Sequence, residues 1–360
     1  MIGLLILALL SQQGDYPGYL PPPDGVGAEM LPFSARGMAM GGIECCVRND
    51  RGLSILNPAV SAWAPHAGLE LTVDYTEGDC RARDGEMRFP RMSFLFPLPG
   101  RVVLSGALGG RSVVRCGDTL KVDGYVGGYA WRGGTGEAYT GLSVLASDWL
   151  SFSLGGRCFF GGIDSDVTLF KDSVGSQIPL NWFYRDDGYL EPAWGLMVGT
   201  MIHTPYLGLG MSITTDRDAR LEVRRNYLSA GSDTTLTESY SIPGEASLGL
   251  SVRPLPRLLV GTSYYYRKAL NLLQSKTPDG NILGLGAEVD LGRGFAGRAG
   301  YSVVDGLWSD GCRRWSLGGS YLFSGDRARI DLSLGRSILK DGGGETSVSV
   351  TLWGSENWLR

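Results

Sequence analysis

Between residues 242 and 267 the chain reads IPGEASLGLSVRPLPRLLVGTSYYYR. Successive side chains of a β-strand point to opposite faces. Before the central turn, Ala246, Leu248, Leu250 and Val252 fall on one face and Ser247, Gly249, Ser251 and Arg253 on the other. After it, Leu258, Val260, Thr262, Tyr264 and Tyr266 oppose Arg257, Gly261, Ser263 and Arg267. The stretch is a hairpin with one greasy face and one face of small or cationic residues.

The unit recurs. Around DLGRG, Leu283, Leu285, Ala287 and Val289 oppose Gly284, Gly286, Glu288 and Asp290. Similar stripes flank LASDW, LFSGD, PLPG and HTPY, and Val348, Val350 and Leu352 form the last. The pattern predicts about fourteen strands of roughly ten residues, the length that crosses a bilayer at a tilt. They fall near 67–76, 87–97, 100–110, 136–146, 149–161, 191–203, 205–215, 243–254, 257–268, 280–291, 294–304, 312–323, 326–337 and 344–354. Short turns alternate with longer polar connections at 77–86, 111–135, 162–190, 216–242, 269–279, 305–311 and 338–343. Such asymmetry fits an outer-membrane barrel with tight periplasmic turns and long external loops. An even strand count leaves both termini periplasmic.

A soluble β-sandwich also alternates. Here the polar face is mostly Gly and Ser, drawn from 55 glycines in 360 residues, and suits a confined interior. Trp149, Trp194, Tyr264, Tyr266, Tyr301 and Trp315 gather towards strand ends, as in aromatic girdles. Facing Arg298 towards lipid near the midplane would cost about 2–4 kcal/mol. A one-residue slip would turn Arg298, Glu288 and Arg329 outward together. The expected fold is therefore all-β: an antiparallel transmembrane β-barrel in the cell outer membrane of a diderm bacterium, with lipid outside. A net charge of −4 with no basic cluster gives no sign of a nucleic-acid partner.

Met1 to Leu10, MIGLLILALL, is too short to span and fits a secretory signal peptide over 1–14. From about 15 to 65 the stripe is absent. Leu31, Phe33, Met38, Met40, Ile43, Leu53, Ile55, Leu56 and Trp63 give this segment apolar surface that needs burial, and the barrel interior offers it.

SARGMAMGG (34–42), a spacer of about fifteen residues and NPA (57–59) resemble the N-terminal signature of FadL-type outer-membrane transporters of hydrophobic compounds. PorV-like secretion-associated relatives share a similar opening. GEAYTGLSVLASDWLSFSLGGRCFFG also resembles a FadL-type hairpin. The resemblance implies a fourteen-stranded barrel plugged by an N-terminal hatch, here 15–62, followed by the barrel over 63–360. The hatch motif maps to Arg36, Gly37, Gly41, Gly42, Asn57, Pro58 and Ala59. The resemblance further implies passive uptake of hydrophobic molecules such as long-chain fatty acids, with sideways release through a kink in the third strand. Gly106, Gly109 and Gly110 lie in that strand, RVVLSGALGG. The alternative is a PorV-like structural barrel that binds protein partners and transports nothing.

Other chemistry is sparse. His66 and His203 have no metal-ligand spacing, no catalytic triad is supported, and no cofactor or metal is expected. Cys80 and Cys116 fall in the first two external loops and could pair or stand alone. Cys45 and Cys46 are adjacent and do not suit a bond to each other. In the 162–190 connection, Leu169, Phe170, Leu180, Trp182, Phe183 and Tyr184 are either a capture groove for a greasy ligand or a loop that packs on itself.

Overall fold

The computed structural model describes residues 28–29, 33–49, 51–78, 82–122, 125–171, 182–227, 233–268, 271–272, 275–276, 279–306, 311–323, 327–338 and 343–356. Fourteen long strands form the wall. They are β1 (Gly68–Gly78), β2 (Ala82–Leu98), β3 (Val102–Val122), β4 (Tyr125–Ser147), β5 (Leu150–Lys171) and β6 (Trp182–His203). Next come β7 (Leu207–Thr214 and Arg217–Tyr227), β8 (Glu245–Leu255, preceded by Asp233–Ile242) and β9 (Leu258–Arg267). The last five are β10 (Gly280–Gly292), β11 (Phe295–Asp305), β12 (Cys312–Phe323), β13 (Ala328–Ile338) and β14 (Gly344–Ser355). Each pairs antiparallel with its chain neighbour, and β14 pairs with β1 from Glu345↔Gly78 to Ser355↔Gly68, which closes the barrel. No described helix is long and apolar enough to cross a membrane.

The facing follows the stripe. Leu248, Leu250, Leu283, Leu285 and Leu334 are exposed on the outside, while Ser247, Ser251, Ser263, Ser333 and Ser349 are buried within. Arg298, Arg329 and Arg157 point inward. From Leu150 to Cys158 the wall rises about 20 Å at ~3.3 Å per residue and ~40° tilt, most of the ~25 Å apolar band of membrane barrels. Trp149 and Trp194, near the two ends of this span, are both exposed.

Four connections expected to be loops are largely strand; the first, 77–86, is the end of the β1–β2 hairpin, paired as far as Gly78↔Ala82. Most of 111–135 is the outer part of the β3–β4 hairpin, paired as far as Val122↔Tyr125. The β5–β6 hairpin extends to Leu169↔Trp182, and β7 and β8 pair from Arg217↔Ile242 to Asn226↔Asp233. Beyond the bilayer both faces of a hairpin meet water, so the apolar-out stripe that marks a membrane strand disappears while the hydrogen-bond ladder continues.

The wall is irregular at one level. The β3–β4 register shifts between Gly110 and Ser112, and the β5–β6 register between Phe159 and Gly161. At the same height β7 breaks between Thr214 and Arg217, and β8 between Ile242 and Glu245. Asp216 accepts from the Gly244 backbone N–H at 2.5 Å and joins the last two breaks. These irregularities separate the lower, lipid-facing wall from its outer extensions.

Residues from Phe33 to Ala64 lie within the lower barrel and are almost wholly buried. They include a short helix α1 (Ala35–Ala39), capped by the Ser34 hydroxyl, and a 3-10 turn (Pro58–Ser61) capped by Asn57. Phe33, Met40, Ile43 and Leu56 pack with Leu259, Tyr265, Ile282 and Val304 of the wall.

Candidate functional site

Two features of the lumen invite a functional reading: a seam in the wall without a ladder and the segment seated within the lower barrel. β2 and β3 pair only from Leu98↔Val102 to Met92↔Leu108. Above that, β2 residues 82–91 pair with β1 alone, and β3 residues from Gly109 onward pair with β4. Among the described residues no ladder bridges β2 and β3 there. A two-residue strand, Ala28–Glu29, pairs with Val113 and Ser112 on the freed edge of β3. Pro90 lies in the freed part of β2, where a residue without an N–H is tolerated. Gly109 and Gly110 are the first residues of β3 past the last β2 pair. Gly106 lies lower, within the paired section, and an added Cβ there would strike the Phe94 ring.

Arg111, between Gly110 and Ser112, has no ladder partner and turns its side chain inward. Its Nη2 donates to Glu245 Oε1 on β8 at 2.6 Å and to the Tyr265 hydroxyl on β9 at 2.9 Å. Its Nη1 lies 3.4 Å from Glu137 Oε2. Arg157 on β5 grips Glu137 through Nε and Nη2, and its Nη1 donates to Glu245 Oε2 at 2.8 Å. Arg217, the first residue after the β7 break, reaches Glu137 and Glu245 at only 3.8 and 3.9 Å. Three guanidiniums thus share two carboxylates. Against this cluster lies an inward apolar patch of Phe159, Leu190, Ala193, Ala219 and Ile242, with the Arg217 guanidinium 6.0 Å from the Phe159 ring centroid.

The inner segment is clamped by a chain of ion pairs that begins and ends in it. Arg36 donates twice to Glu288 on β10, at 2.9 and 3.0 Å. Glu288 also accepts from Arg298 at 2.6 Å, Arg298 donates to Asp331 at 2.8 Å, and Asp331 accepts from Arg329 at 2.7 Å. Arg329 lies 3.9 Å from Glu70, which accepts from Arg91 at 2.5 Å, and Arg91 lies 3.9 Å from Glu44. Glu44 in turn accepts from the Ser34 N–H at 2.7 Å and the Ser34 hydroxyl. Burial pushes the Glu44 carboxyl above its usual range, and Arg91 opposes that rise.

The remaining motif residues set the backbone of the segment. Gly37 packs on the Glu44 side chain, where a Cβ has no room. Gly41 and Gly42 have φ of +70° and +95°, and a Cβ on Gly41 would meet the Tyr301 carbonyl at 2.6 Å. Asn57 Nδ2 donates to the Cys45 carbonyl at 2.8 Å and to the Thr200 carbonyl of β6 at 2.9 Å. The Pro58 carbonyl accepts from Ser143 at 2.9 Å and the Ala59 carbonyl from Ser151 at 2.8 Å. Ser251, Ser263 and Ser316 donate to the carbonyls of Cys46, Gly42 and Ala39 at 2.8, 3.1 and 3.1 Å. The small inward face is therefore a receptor for the segment: hydroxyls donate to its carbonyls, and glycines such as Gly210, Gly286 and Gly300 let its backbone approach the wall.

The expected capture loop is, in its backbone, two arms of one hairpin. Leu169 pairs with Trp182, while Phe183 and Tyr184 pair with Thr168 and Val167; Phe170 pairs with Val126 of β4. The side chains of these five lie outside the described residues, as do Leu180, Cys80 and residues 1–27. Cys45 and Cys46 are buried free thiols. The ionic cluster of Arg111, Glu137, Arg157, Arg217 and Glu245 was not singled out from the sequence. Its signal is present, as charged residues at inward parity among glycines and serines, but the partners are up to 134 residues apart.

No family model and no curated protein matches the sequence. Solved structures do match in fold. A Pseudomonas aeruginosa FadL homologue aligns with TM-score 0.68 and 14% identity, over 91% of this chain and 99% of its own. The Ralstonia pickettii toluene transporter TbuX gives 0.61 and 13%, over 89% and 97%. The CymD monoaromatic hydrocarbon channel gives 0.60 and 16%, over 92% and 98%. The chain has the fourteen-stranded barrel fold of these FadL-type channels for hydrophobic compounds.

Proposed function

We propose that the protein is an outer-membrane channel for passive uptake of hydrophobic small molecules, with residues 15–62 as a hatch and the β2–β3 seam as a lateral exit into the bilayer. The observation that carries this reading is the missing ladder above Met92↔Leu108 beside the Arg111 bulge. A side opening that begins at the upper edge of the lipid-facing wall serves a solute that prefers hydrocarbon to water. In this reading the short turns face the periplasm and the long hairpins face outward.

A long-chain fatty acid suits the lumen beneath the seam. Its chain fits the patch of Phe159, Leu190 and Ile242, and its carboxylate fits the guanidiniums of Arg111, Arg157 and Arg217, which outnumber the two carboxylates they share. Guanidinium forks match carboxylate geometry. The β5–β6 hairpin, with Leu169, Phe170, Trp182, Phe183 and Tyr184 in its strands, serves as the outer capture surface, joined by Leu180 in the connection between them.

One observation favours the PorV-like alternative, a barrel that binds protein partners and moves nothing: the wall hydroxyls and the ion-pair chain hold the hatch tightly. Native mass spectrometry of protein extracted from membranes, with uptake of long-chain acids in a deletion strain, separates the two. Co-purified acid and an uptake defect support transport. An empty barrel and normal uptake contradict it.

A further inference from the structure

We propose that the short-turn mouth of the barrel is a binding site for a phosphate-bearing polyanion, separate from the seam and its cluster. The turns after β6, β8 and β10 surround a cavity of about 610 Å³ at this end. That lies within the ~300–1,000 Å³ range of small-molecule sites. Eight arginines line it against two carboxylates, Glu288 and Asp290.

Neither carboxylate neutralises the rim. Glu288 is held by Arg36 and Arg298 on the floor. Asp290 accepts from the Gly292 N–H at 2.8 Å and shapes its own turn. Arg253, Arg257 and Arg293, from two neighbouring turns, have no carboxylate partner among the described residues. Arg48, from the hatch, lies 5.8 Å over the Trp63 ring and extends the cationic lining inward.

The backbone adds a second argument. Arg293 has φ +53°, between Gly292 at +80° and Gly294 at +82°. A non-glycine residue in this region is strained by about 1–3 kcal/mol. A third glycine would relieve the turn; a long cationic side chain stands there instead, facing the cavity. Concave walls of one charge focus the field and concentrate counter-ions. Guanidiniums arriving from separate turns can each take an oxygen of a multiply charged phosphate, whereas a single carboxylate offers two oxygens and one charge.

The ligand phosphate could come from a soluble polyphosphate-type anion or from a lipid headgroup, and one experiment tells them apart. Purified full-length protein is titrated calorimetrically with inorganic tripolyphosphate in a zwitterionic detergent, then placed in phosphatidylcholine discs with and without phosphatidylglycerol. The comparison is the R253Q/R257Q/R293Q variant, whose folding is checked by heat-modifiable gel mobility. Binding of tripolyphosphate that weakens about tenfold in the variant, and weakens again as salt rises from about 50 to about 500 mM, supports a soluble ligand. Retention of phosphatidylglycerol by the native chain but not the variant supports a lipid source. Absence of both, or equal binding by native and variant chains, overturns the site.

Discussion

Arg111 on β3 donates to Glu245 on β8 at 2.6 Å, from the residue that interrupts the β3–β4 ladder beside the unpaired β2–β3 seam. The bulge and the cross-lumen ion pair therefore belong to one device. The extra residue gives β3 its irregular edge, and its own side chain ties that edge to the far wall.

Removing the shared acid should be severe. Glu245→Ala leaves Arg111, Arg157 and Arg217 facing Glu137 alone. Breaking a buried pair in this way costs about 3–5 kcal/mol. The expected outcome is a large drop in the urea midpoint of refolded barrel; a midpoint within error of the native value contradicts the cluster's role.

The facing of the wall is tested by two neighbours on β12. Leu317 is 62% exposed and Ser316 is buried, donating to the Ala39 carbonyl at 3.1 Å. In lipid vesicles Leu317→Arg should destabilise by about 2–4 kcal/mol. Ser316→Ala should lose about 0.5–1.5 kcal/mol, the net worth of one hydrogen bond. Denaturant titration in phosphatidylcholine vesicles measures both, and a harmless Leu317→Arg argues against lipid on that face.

The inner segment, if it is a hatch, should be removable without loss of the barrel. The wall ladders are self-contained and close through β14 and β1. Excision of residues 15–60 should raise single-channel conductance in planar bilayers, because the ion-pair chain from Arg36 to Glu44 and the hydroxyl-held backbone go with it. Unchanged conductance means that the segment does not close the pore.

Asn57 is the best single point at which to loosen that segment. Its side chain joins the Cys45 and Thr200 carbonyls and accepts from the Ala59 N–H at 3.2 Å. Asn57→Ala strands two buried carbonyls, each worth about 1–3 kcal/mol. Intermediate conductance with frequent flicker is expected, between that of the native chain and that of the chain lacking residues 15–60; conductance equal to the native chain's contradicts the role of Asn57.

Much of this was legible in the sequence because a lipid-facing strand leaves a period of two. Strand β12 was read as 312–323 and is observed at Cys312–Phe323; β10 and β11 fall within a residue or so of their expected bounds. The period vanishes where hairpins leave the bilayer, so the arms of β1–β2, β3–β4, β5–β6 and β7–β8 read as loops. The inner segment was visible as apolar residues without a stripe, and the serines and glycines that receive it as a small inward face. Neither pattern reveals which hydroxyl meets which carbonyl. The seam left no mark beyond Gly109 and Gly110, since a missing ladder is a relation between two strands. The ionic cluster was hidden for the same reason: Arg111 and Glu245 meet only when strands three and eight face each other across the lumen.

The lateral exit is tested most directly by uptake of a labelled long-chain acid into cells carrying one of two variants. Deleting Arg111 should make the Gly110↔Gly136 and Ser112↔Thr135 pairs continuous and so remove the bulge. Arg111→Ala keeps the bulge and removes only the charge. With both variants folded by gel mobility, the deletion should abolish uptake while Arg111→Ala retains a measurable part of it. Native-level uptake by the deletion variant would contradict passage through the seam.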